Sequence, residues 1–505
     1  MMIIKWVAIG LLMVAIISPV LGQQTAEDWF NKGVALDDQG NYADAIKAYD
    51  EAVKLDPNYA EAWYNNGNAL YREGKYNESI KAFNEAIKAY DEAIKQDPND
   101  ADLWNNKGID LKNQGKYDEA IKAFDEAIRL DLKDADAWNN KGIALSEQGK
   151  YVEAIEVFDD AIELNPQDAR IQYSRSHLLM KLGRTAEADA ASAKANELVA
   201  ASPNTTYLRI GYQLTTHQMA EIVAGEGGWW AEDLKQFGVK EILEFEYPSG
   251  QSEIQAMYRG GLDIAYMGTA PIITAIAQGL DAKIVSAVNI NGSNLVLRPD
   301  VNYSGAQSLG GLNIATLSPG SIQDLVLKMW LKDNGMDNSK VNITVMNPED
   351  AVTAISAGKV DGVFLPHPSP AIIESRGKGK SVVASGEMWP NHACCSLLIS
   401  GKLLREQPEL VKQIIKTHTK ATEYVNAHPK EAAQIFAKKT KQNHTVVETS
   451  IEDWDGKWVS DLAIQVPSTV EYAKIDMQLG YINETLSKDD LFDMSFYRDV
   501  VNPSG

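Results

Sequence analysis

The stretch EYPSGQSEIQAMYRGGLDIAYMGTAP, residues 246–271, decides the fold of the C-terminal part of the chain. It contains a turn with Pro248, Ser249 and Gly250, then a helical segment, then a buried strand, LDIAYMG, that ends at Gly268. Strands that alternate with helices predict a parallel sheet covered by helices. The stretch carries no acid–base pair, no cluster of metal ligands and no phosphate loop. Its polar residues therefore favour binding over catalysis.

The same order of elements recurs further along the chain. GGLDIAY, residues 260–266, aligns with GKVDGVF, residues 358–364. In each, a glycine that ends a helix is followed three residues later by aspartate and then by an apolar strand. This recurrence predicts two lobes of one architecture, with the last hundred residues packing back on the first lobe as helices. The predicted boundaries are residues 207–297 plus 398–505 for lobe 1 and 298–397 for lobe 2, within a domain of residues 206–505.

Polar residues follow several of the predicted strands. In parallel α/β sheets, ligands bind outside the carboxyl ends of the strands. Ser321 and Asp324 have the spacing of a helix capping box, and Asn347 precedes Pro348 as a cap precedes a first-turn proline. Each could be a plain cap with no further role. If both lobes direct these corners into one cleft, the helix N-termini there would favour a small anion, and the lobes would close around it.

The first part of the chain is an internal repeat. Small residues allow close approach of two helices, aromatic residues fill the space between hairpins, and proline stops the second helix. The repeated positions are Trp29, Trp63, Trp104 and Trp138; Gly33, Gly67, Gly108 and Gly142; Gly40, Gly74, Gly115 and Gly149; and the aromatic residues Tyr49, Phe83, Phe124 and Phe158. This pattern resembles the tetratricopeptide repeat, with four copies over residues 26–168 and a degenerate fifth over 169–202.

The repeat has two further features. The interval between Trp63 and Trp104 is seven residues longer than the other intervals between the repeated tryptophans. In this interval NEAIKAYDEAIKQDP repeats its own EAIK after seven residues. Because seven residues are about two helical turns, we expect one helix to be longer by that amount. The resemblance also implies that one position faces a groove. It is occupied by Asn31, Asn65, Asn106 and Asn140. These amides are candidates for binding a peptide or protein partner, and the alternative is that they are ordinary consensus residues of a spacer.

The C-terminal part also resembles a known family. PSGQSEIQAMYRGGLDIAYMGTAP, PGSIQDLVL, SAGKVDGVFLPHPSP and MWPNHACCSLLIS are similar to segments of the solute-binding proteins of ABC importers for nitrate, sulfonates and taurine. The resemblance implies a two-lobed periplasmic-binding-protein fold and an extracytoplasmic receptor for a small anion, bicarbonate included, that delivers its solute to a membrane permease. The ligand contacts that it implies are Gln213, Ser249, Gly250, Thr269, Ala270, Gly320, Ser321, His367 and Trp389. The repeat in front is a departure from that family.

Composition and the N-terminus limit the functional class. The 505 residues carry a formal net charge of −22, and phosphate binding needs a basic surface, so nucleic acid is not an expected partner. Residues 1–22 have one lysine, an apolar run and a small-residue end, which predicts a signal peptide or an uncleaved signal-anchor. The predicted fold is thus a tetratricopeptide α-solenoid followed by a two-lobed α/β domain, exported from the cytoplasm.

Few residues suggest an enzyme, a metal or a cofactor. The seven histidines show no metal-ligand spacing. His392 precedes the only two cysteines, Cys394 and Cys395, and could form a nucleophile or metal site with them, but two buried thiols in a strand are the simpler interpretation. We expect no catalytic residue, no metal and no cofactor. The alternative to a transport receptor is a tetratricopeptide scaffold or sensor whose solute-binding fold has no transport role.

Overall fold

The computed structural model describes residues 24–37, 39–201 and 206–501. These residues form two compact units, and the division falls between Pro98 and Asn99. The predicted signal segment, residues 1–22, lies outside the described residues. None of the helices within the described ranges has the length and apolar character needed to cross a bilayer.

The described N-terminal residues form ten helices that pair consecutively as five hairpins. The fifth pair confirms that the degenerate copy is a repeat. The helices are α1 (Ala26–Asp37), α2 (Tyr42–Leu55), α3 (Ala60–Arg72), α4 (Tyr76–Gln96), α5 (Ala101–Asn113), α6 (Tyr117–Leu130), α7 (Ala135–Glu147), α8 (Tyr151–Leu164), α9 (Ala169–Lys181) and α10 (Thr185–Ala201).

The contact between the two helices of a hairpin explains the first repeated glycine. A Cβ atom on Gly108 would lie 2.5 Å from Cε1 of Phe124, and a Cβ atom on Gly142 would lie 2.5 Å from Cε1 of Phe158. Both rings are fully buried. Only glycine therefore allows the ring to lie flat against the neighbouring helix, and the predicted close approach is confirmed.

The second repeated glycine serves the turn between the helices. Gly115, Gly149 and Gly183 have φ values of 74°, 80° and 71°, in the left-handed region that L-residues disfavour. Such a residue commonly ends a helix. The seven-residue insertion lies in α4, which has 21 residues where α2, α6 and α8 have 14 each. The predicted lengthening of one helix by two turns is confirmed.

The C-terminal part of the described chain alternates strands and helices. The strands are β1 (Thr206–Tyr212), β2 (Val239–Glu246), β3 (Ile264–Gly268), β4 (Ala282–Ile290), β5 (Ser293–Leu297), β6 (Asn313–Thr316), β7 (Asn342–Val345), β8 (Gly362–Pro366), β9 (Lys380–Ala384), β10 (Ala393–Ser400) and β11 (Lys457–Trp458). The α-helices are α11 (Met219–Glu226), α12 (Trp229–Lys235), α13 (Gly250–Tyr258), α14 (Thr269–Ala277), α15 (Ile322–Asp333), α16 (Pro348–Ser356), α17 (Ser369–Ser375), α18 (Ser385–Met388), α19 (Gly401–Glu406), α20 (Pro408–Ala427), α21 (Pro429–Thr440), α22 (His444–Glu452), α23 (Leu462–Gln478), α24 (Lys488–Leu491) and α25 (Met494–Val501).

The strands form two sheets with matching topology. The first has the order β11-β4-β10-β3-β1-β2 and the second the order β7-β6-β8-β5-β9. In each sheet three consecutive strands run parallel, and the next strand, β10 or β5, is antiparallel to them. The prediction of two lobes of one architecture is confirmed. The predicted parallel arrangement holds for three neighbouring strands of each sheet, and the sheets are mixed because β5 and β10 come from the chain where it crosses between the lobes.

The two aligned aspartates occupy equivalent positions in the lobes. An Oδ2 atom of Asp263 accepts the backbone N–H of Arg209 on β1 at 3.0 Å, and Oδ2 of Asp361 accepts the N–H of Asn313 on β6 at 2.9 Å. Each aspartate thus satisfies a backbone donor on the neighbouring strand, next to the start of β3 or β8. This shared role explains why the alignment of the two segments holds.

The chain crosses between the lobes twice. One crossing lies between β4 and β5, at Asn291 and Gly292, and both of these residues have positive φ, 54° and 97°. The other runs from β9 through α18 to β10. Since β5 belongs to the second sheet, the first crossing lies before residue 293, earlier than the predicted boundary at 297. Asp455 connects the crossings, because its carboxylate accepts the N–H of Gly292 at 2.9 Å and the N–H of Gly386.

Most of the helices that follow β10 pack on the first lobe. Helix α20 contacts α11 and α12, α23 contacts α14 and β4, and α25 contacts α20 and β4. Helix α22 differs, because it also contacts α17 of the second lobe. These helices therefore cover the first sheet and extend across to its partner.

The fifth hairpin of the repeats packs on the first lobe. Arg209 on β1 donates to the hydroxyl of Tyr173 at 2.7 Å and to Oδ1 of Asn196 at 2.8 Å, while Asp263 pairs with the same guanidinium at 2.7 Å. The ring of His177 lies 5.1 Å from that of Phe245. This partly buried network and the ring contact join the last repeats to β1 and β2 of the first sheet.

Candidate functional site

A cavity of about 700 Å³ lies at the carboxyl ends of the parallel strands of both lobes. Its wall includes residues at, or directly after, the carboxyl ends of β1, β2 and β3 in the first lobe and of β6, β7 and β8 in the second. Ligands in open α/β sheets bind at this end of the strands. The two lobes therefore turn their polar corners toward one space, as predicted from the positions of those corners in the sequence.

The first lobe contributes Gln213, Ser249 and Gly250 to the wall. Ser249 caps α13, since its side chain accepts the N–H of Ser252. The side chain of Gln213 donates to Oε2 of Glu253 at 2.5 Å. Burial raises the pKa of Glu253 well above its ordinary value, which disfavours a negative charge beside the cavity.

The second lobe contributes Gly320 and Ser321. The hydroxyl of Ser321 accepts the N–H of Asp324 at 3.2 Å, and the carboxylate of Asp324 accepts the N–H of Gly320 at 3.0 Å. Gly320 has a φ of 78°, so the loop takes a backbone conformation that favours glycine. Asn347 caps α16 and also lines the cavity. The predicted caps are confirmed, and both stand at the wall of the cavity.

Few charged side chains line the cavity. Among the described residues on its wall they are Lys181, Glu246 and Glu349. Nζ of Lys181 lies 3.7 Å from Oε1 of Glu246, and this lysine belongs to α9 of the repeats. Tyr151 of α8 also lines the cavity. The attraction for an anion inside the cavity would thus come mainly from backbone N–H groups and helix N-termini.

Four of the predicted contact residues do not line the cavity. Thr269 is fully buried, and its hydroxyl lies 3.2 Å from the carbonyl of Cys394 and 2.7 Å from the hydroxyl of Ser396. The other three are packed elsewhere. Ala270 is fully buried in α14, Nδ1 of His367 lies 2.8 Å from the hydroxyl of Ser450, and the ring of Trp389 meets that of Tyr472 edge-on at 4.8 Å.

A cluster of His217, Cys394 and Cys395 forms another part of the wall. Nδ1 of His217 lies 3.3 Å from Sγ of Cys394 and 3.9 Å from Sγ of Cys395. The predicted neighbour of the thiols, His392, instead has its Nδ1 atom 2.8 Å from the carbonyl oxygen of Trp389. Hydrogen bonding to Cys394 and burial hold the pKa of Cys395 well above its ordinary value.

A β-bulge explains how adjacent cysteines meet one histidine. Side chains of neighbouring strand residues normally point to opposite faces. In the pairing with β4, Ala393 lies opposite Ile290 and Cys395 lies opposite Asn289, so Cys394 is an extra residue. The bulge changes the direction of the side chains and brings both thiols toward the cavity. The sequence offers no signal for this irregularity beyond the rare pair of cysteines.

The amides predicted to face the repeat groove lie on the first helices of their hairpins. Asn31 is exposed, whereas Asn65, Asn106 and Asn140 are partly buried. Nδ2 of Asn140 donates to Oδ1 of Asn105 in the preceding repeat at 3.1 Å. This hydrogen bond joins neighbouring repeats, which is a structural role for at least one member of the series.

Comparison with known families divides the chain in the same way as its sequence patterns. Tetratricopeptide-repeat models match residues 30–101, 106–169, 89–122 and 145–203. The model of the NMT1-like family matches residues 201–440.

Relatives of the C-terminal part are binding proteins. The putative aliphatic sulfonates-binding protein of Bacillus subtilis is 23% identical over 300 residues, which are 58% of this chain and 88% of that protein. The alkanesulfonate-binding protein SsuA from Xanthomonas axonopodis, bound to MOPS, superposes with a TM-score of 0.51 at 18% identity over 57% of this chain and 98% of that one. The periplasmic nitrate-binding protein NrtA from Synechocystis superposes with a TM-score of 0.51 at 16% identity over 59% of this chain and 89% of that one.

The two solved structures show that the fold of the C-terminal part is that of periplasmic binding proteins. The chain therefore carries tetratricopeptide repeats in its N-terminal part and an NMT1-like solute-binding domain in its C-terminal part.

Proposed function

We propose that this protein is the extracytoplasmic solute-binding component of an ABC importer for a small anion. The solute belongs to the class of nitrate, sulfonates, taurine or bicarbonate. Two lobes close around it, and the repeats form a protein-interaction module. The observation that supports this most strongly is the cavity, which both lobes border at the carboxyl ends of their parallel strands.

The chemistry of the wall favours an anion held by dipoles. Helix N-termini present free N–H groups and the positive end of the helix dipole. The N-terminal ends of α13, α15 and α16 all lie at the cavity, and their caps are Ser249, Ser321 and Asn347. Such a site needs no buried arginine. The relatives named for aliphatic sulfonates and nitrate support the same class of solute.

Lobe closure has a structural basis in the two crossings between the sheets. A hinge requires a few residues that absorb a change in backbone angles. Asn291 and Gly292 in one crossing and Asn391 at the end of the other all have positive φ. We infer that these segments bend when the cavity closes on its solute.

The export signal and the transport partner are part of the proposal. The sequence of residues 1–22 is the motivation for placing the protein outside the cytoplasm, either free or held at the membrane by an uncleaved segment. A receptor of this fold would deliver its solute to an ABC permease in that membrane. The protein carries out no covalent step in this role.

The repeats suggest a second partner. Tetratricopeptide arrays bind peptides in the groove formed by their first helices. Asn106 and Asn140 lie on the first helices of two neighbouring hairpins and are partly buried. We propose a peptide or protein ligand for this surface. A scaffold or sensor whose solute-binding fold has no transport duty is the second candidate, and the repeat array itself is the observation that favours it.

Calorimetric titration tests the solute proposal. The full chain is titrated with nitrate, taurine, an alkanesulfonate and bicarbonate, and we expect one of them to bind with a stoichiometry of one. Ser321→Ala should weaken that binding, while Ser487→Ala, which removes a cap outside the cavity wall, should not. If none of the four binds, the proposal fails, and pull-down through the repeats would then test the scaffold.

A further inference from the structure

The cluster of His217, Cys394 and Cys395 has the composition and spacing of a metal site. The three ligand atoms lie within 4.8 Å of one another. In a tetrahedral zinc site, bond lengths of about 2.3 Å to sulfur and about 2.0 Å to nitrogen place a sulfur and a nitrogen ligand about 3.5 Å apart. The two measured nitrogen–sulfur distances are 3.3 and 3.9 Å, on either side of that value.

The histidine is held in the tautomer that a metal requires. Nε2 of His217 lies 2.7 Å from the carbonyl oxygen of Gly292, and a carbonyl can only accept, so Nε2 carries the proton. The lone pair of Nδ1 therefore points toward the thiols. Metal-bound histidines commonly donate their other N–H to a carbonyl or carboxylate in this way. The ring of Trp454, 5.7 Å away, packs beside the imidazole and limits its rotation.

The cysteines are also fixed in place. The N–H of Cys395 donates to Oδ1 of Asn289 at 3.0 Å, and its carbonyl accepts from Nε2 of Gln465 at 2.8 Å. The carbonyl of Cys394 accepts from Thr269 at 3.2 Å. These bonds keep the bulge in one conformation. All three ligand residues are at least 94% buried, so the ligand set is preorganised rather than assembled from mobile surface groups.

Charge balance selects the type of ion. Two thiolates and one neutral imidazole carry a charge of −2, which one divalent cation cancels, and a neutral complex is the least costly to bury. Soft thiolate ligands favour zinc and monovalent copper over calcium or magnesium. All three residues line the solute cavity. The fourth position of a tetrahedral ion would therefore face the cavity.

We propose that His217, Cys394 and Cys395 bind one Zn²⁺ ion on the wall of the solute cavity, whereas Cu⁺, the other closed-shell cation that thiolates favour, would leave the buried complex with a charge of −1. Binding releases the two thiol protons and forms two metal–sulfur bonds and one metal–nitrogen bond, with no change in oxidation state. The open fourth position is available to water or to a donor atom of a solute. This inference does not depend on the proposed solute, because the protein supplies the three ligands by itself.

Cobalt titration tests the site without any solute. The full chain, reduced and freed of metal with a chelator, is titrated with Co²⁺ under anaerobic conditions. We expect saturation at one equivalent, with a sulfur-to-cobalt charge-transfer band and the intense visible bands of tetrahedral cobalt, and loss of both on adding Zn²⁺. A parallel titration with Cu⁺ against a chromogenic chelator shows which of the two ions binds more tightly.

Variants assign the ligands. Cys394→Ser, Cys395→Ser and His217→Asn should each weaken Zn²⁺ binding by at least about tenfold. His392→Asn is the matched control, because His392 is a buried histidine two residues from Cys394 that lies outside the cluster. It should keep the full cobalt spectrum. Tight binding by the double variant Cys394→Ser/Cys395→Ser would overturn the proposal.

A measurement on the protein without substitutions tests the proposal even if the variants fold poorly. One equivalent of Zn²⁺ should protect both thiols from alkylation, which mass spectrometry of the cysteine peptide detects. Equal alkylation with and without Zn²⁺, or cobalt spectra that lack the sulfur band, would show that the cluster is only a hydrogen-bonded thiol pair.

Discussion

Ser321 and Asp324 are joined by a hydrogen bond across the first turn of α15, in which the hydroxyl of Ser321 accepts the N–H of Asp324 at 3.2 Å. The carboxylate of Asp324 in turn accepts the N–H of Gly320, the residue before Ser321. This arrangement fixes a loop on the cavity wall, which the first residues of α15 also line. The same two residues thus stabilise a helix and shape the proposed solute site.

Replacement of Ser321 by alanine should affect both properties. Loss of a cap typically lowers stability by about 1 kcal/mol. Loss of a hydroxyl that touches the solute should weaken binding by about five- to tenfold. Ser487→Ala removes a similar cap, from α24, and should lower thermal stability without changing affinity. Equal affinity for the two variants in calorimetry would remove Ser321 from the solute site.

Lys181 and Glu246 should have opposite effects on anion binding. The pair lies on the cavity wall with a separation of 3.7 Å, and the lysine side chain is 15% exposed. Lys181→Met leaves Glu246 without its partner, so affinity for an anion should fall by about two- to fivefold. Glu246→Gln should raise affinity by a similar factor. The measurement is titration at low and moderate salt, and changes of the same sign in both variants would contradict the electrostatic explanation.

Asp476 should make stability depend on pH. Burial raises its pKa from 3.8 to about 7, and both carboxylate oxygens lack a hydrogen-bond partner among the described residues. Between pH 3.8 and about 7 the folded protein holds a proton that the unfolded chain has lost, so stability falls as pH rises through this window. Asp476→Asn removes this loss and should stabilise the protein by on the order of 2 kcal/mol at neutral pH.

Denaturant unfolding of Asp476→Asn at several pH values checks this expectation. The increase in the free energy of unfolding that the substitution causes should become smaller toward pH 4 and should be absent below that pH. The control is Glu484→Gln, at an exposed acidic residue nearby. A gain that is independent of pH would mean that the substitution acts through packing instead.

The contact between glycine and an aromatic ring in the repeats predicts that replacing this glycine by alanine destabilises the protein, the reverse of the usual effect inside a helix. Alanine is normally more favourable than glycine inside a helix by about 1 kcal/mol. A Cβ at Gly142 would meet Phe158 at 2.5 Å, and overpacking of this kind costs about 1–3 kcal/mol. Gly142→Ala should therefore destabilise the protein in thermal unfolding. In the double variant with Phe158→Leu, the effects should be less than additive. Strict additivity would exclude the clash.

Asp455 should control the two crossings between the lobes. Its carboxylate accepts N–H groups from both Gly292 and Gly386. Asp455→Ala leaves these donors without that partner and should lower stability by about 2 kcal/mol. It should also alter solute affinity, because the crossings form the proposed hinge. Asp453→Ala, at an exposed position of the same loop, is the control and should change neither quantity.

The regular spacing of glycine and aromatic residues, and the glycine and aspartate residues that precede strands, were sufficient to predict much of the fold. The repeated glycines and aromatic residues of the first part reflect close contacts inside each hairpin, which are local and therefore visible in sequence. The sequence alignment of Asp263 with Asp361 identified the two lobes for the same reason, since each aspartate accepts a backbone N–H from the neighbouring strand of its own lobe. The antiparallel strands β5 and β10 were harder, because their direction depends on where the chain crosses between lobes.

The site was only partly predictable. Caps such as Ser249 and Ser321 have local signatures, and the structure brings both to one cavity. The contact between His217 and the two cysteines could not be predicted from the sequence. His217 is separated from Cys394 by 177 positions and from Cys395 by 178, and the contact depends on a β-bulge. Likewise no pattern in the sequence shows that Lys181 of the repeats reaches the wall of the cavity.

Tyr151 and Lys181 also determine how the protein can be cut for study. A receptor fragment that starts at Tyr207 would lose part of the cavity rim, strip Glu246 of its counter-ion and uncover the ring of Phe245 that now packs against His177. The last repeats therefore contribute residues to the cavity of the C-terminal domain and are not an independent module. Joining the C-terminal domain to a different N-terminal domain would therefore change part of the cavity wall.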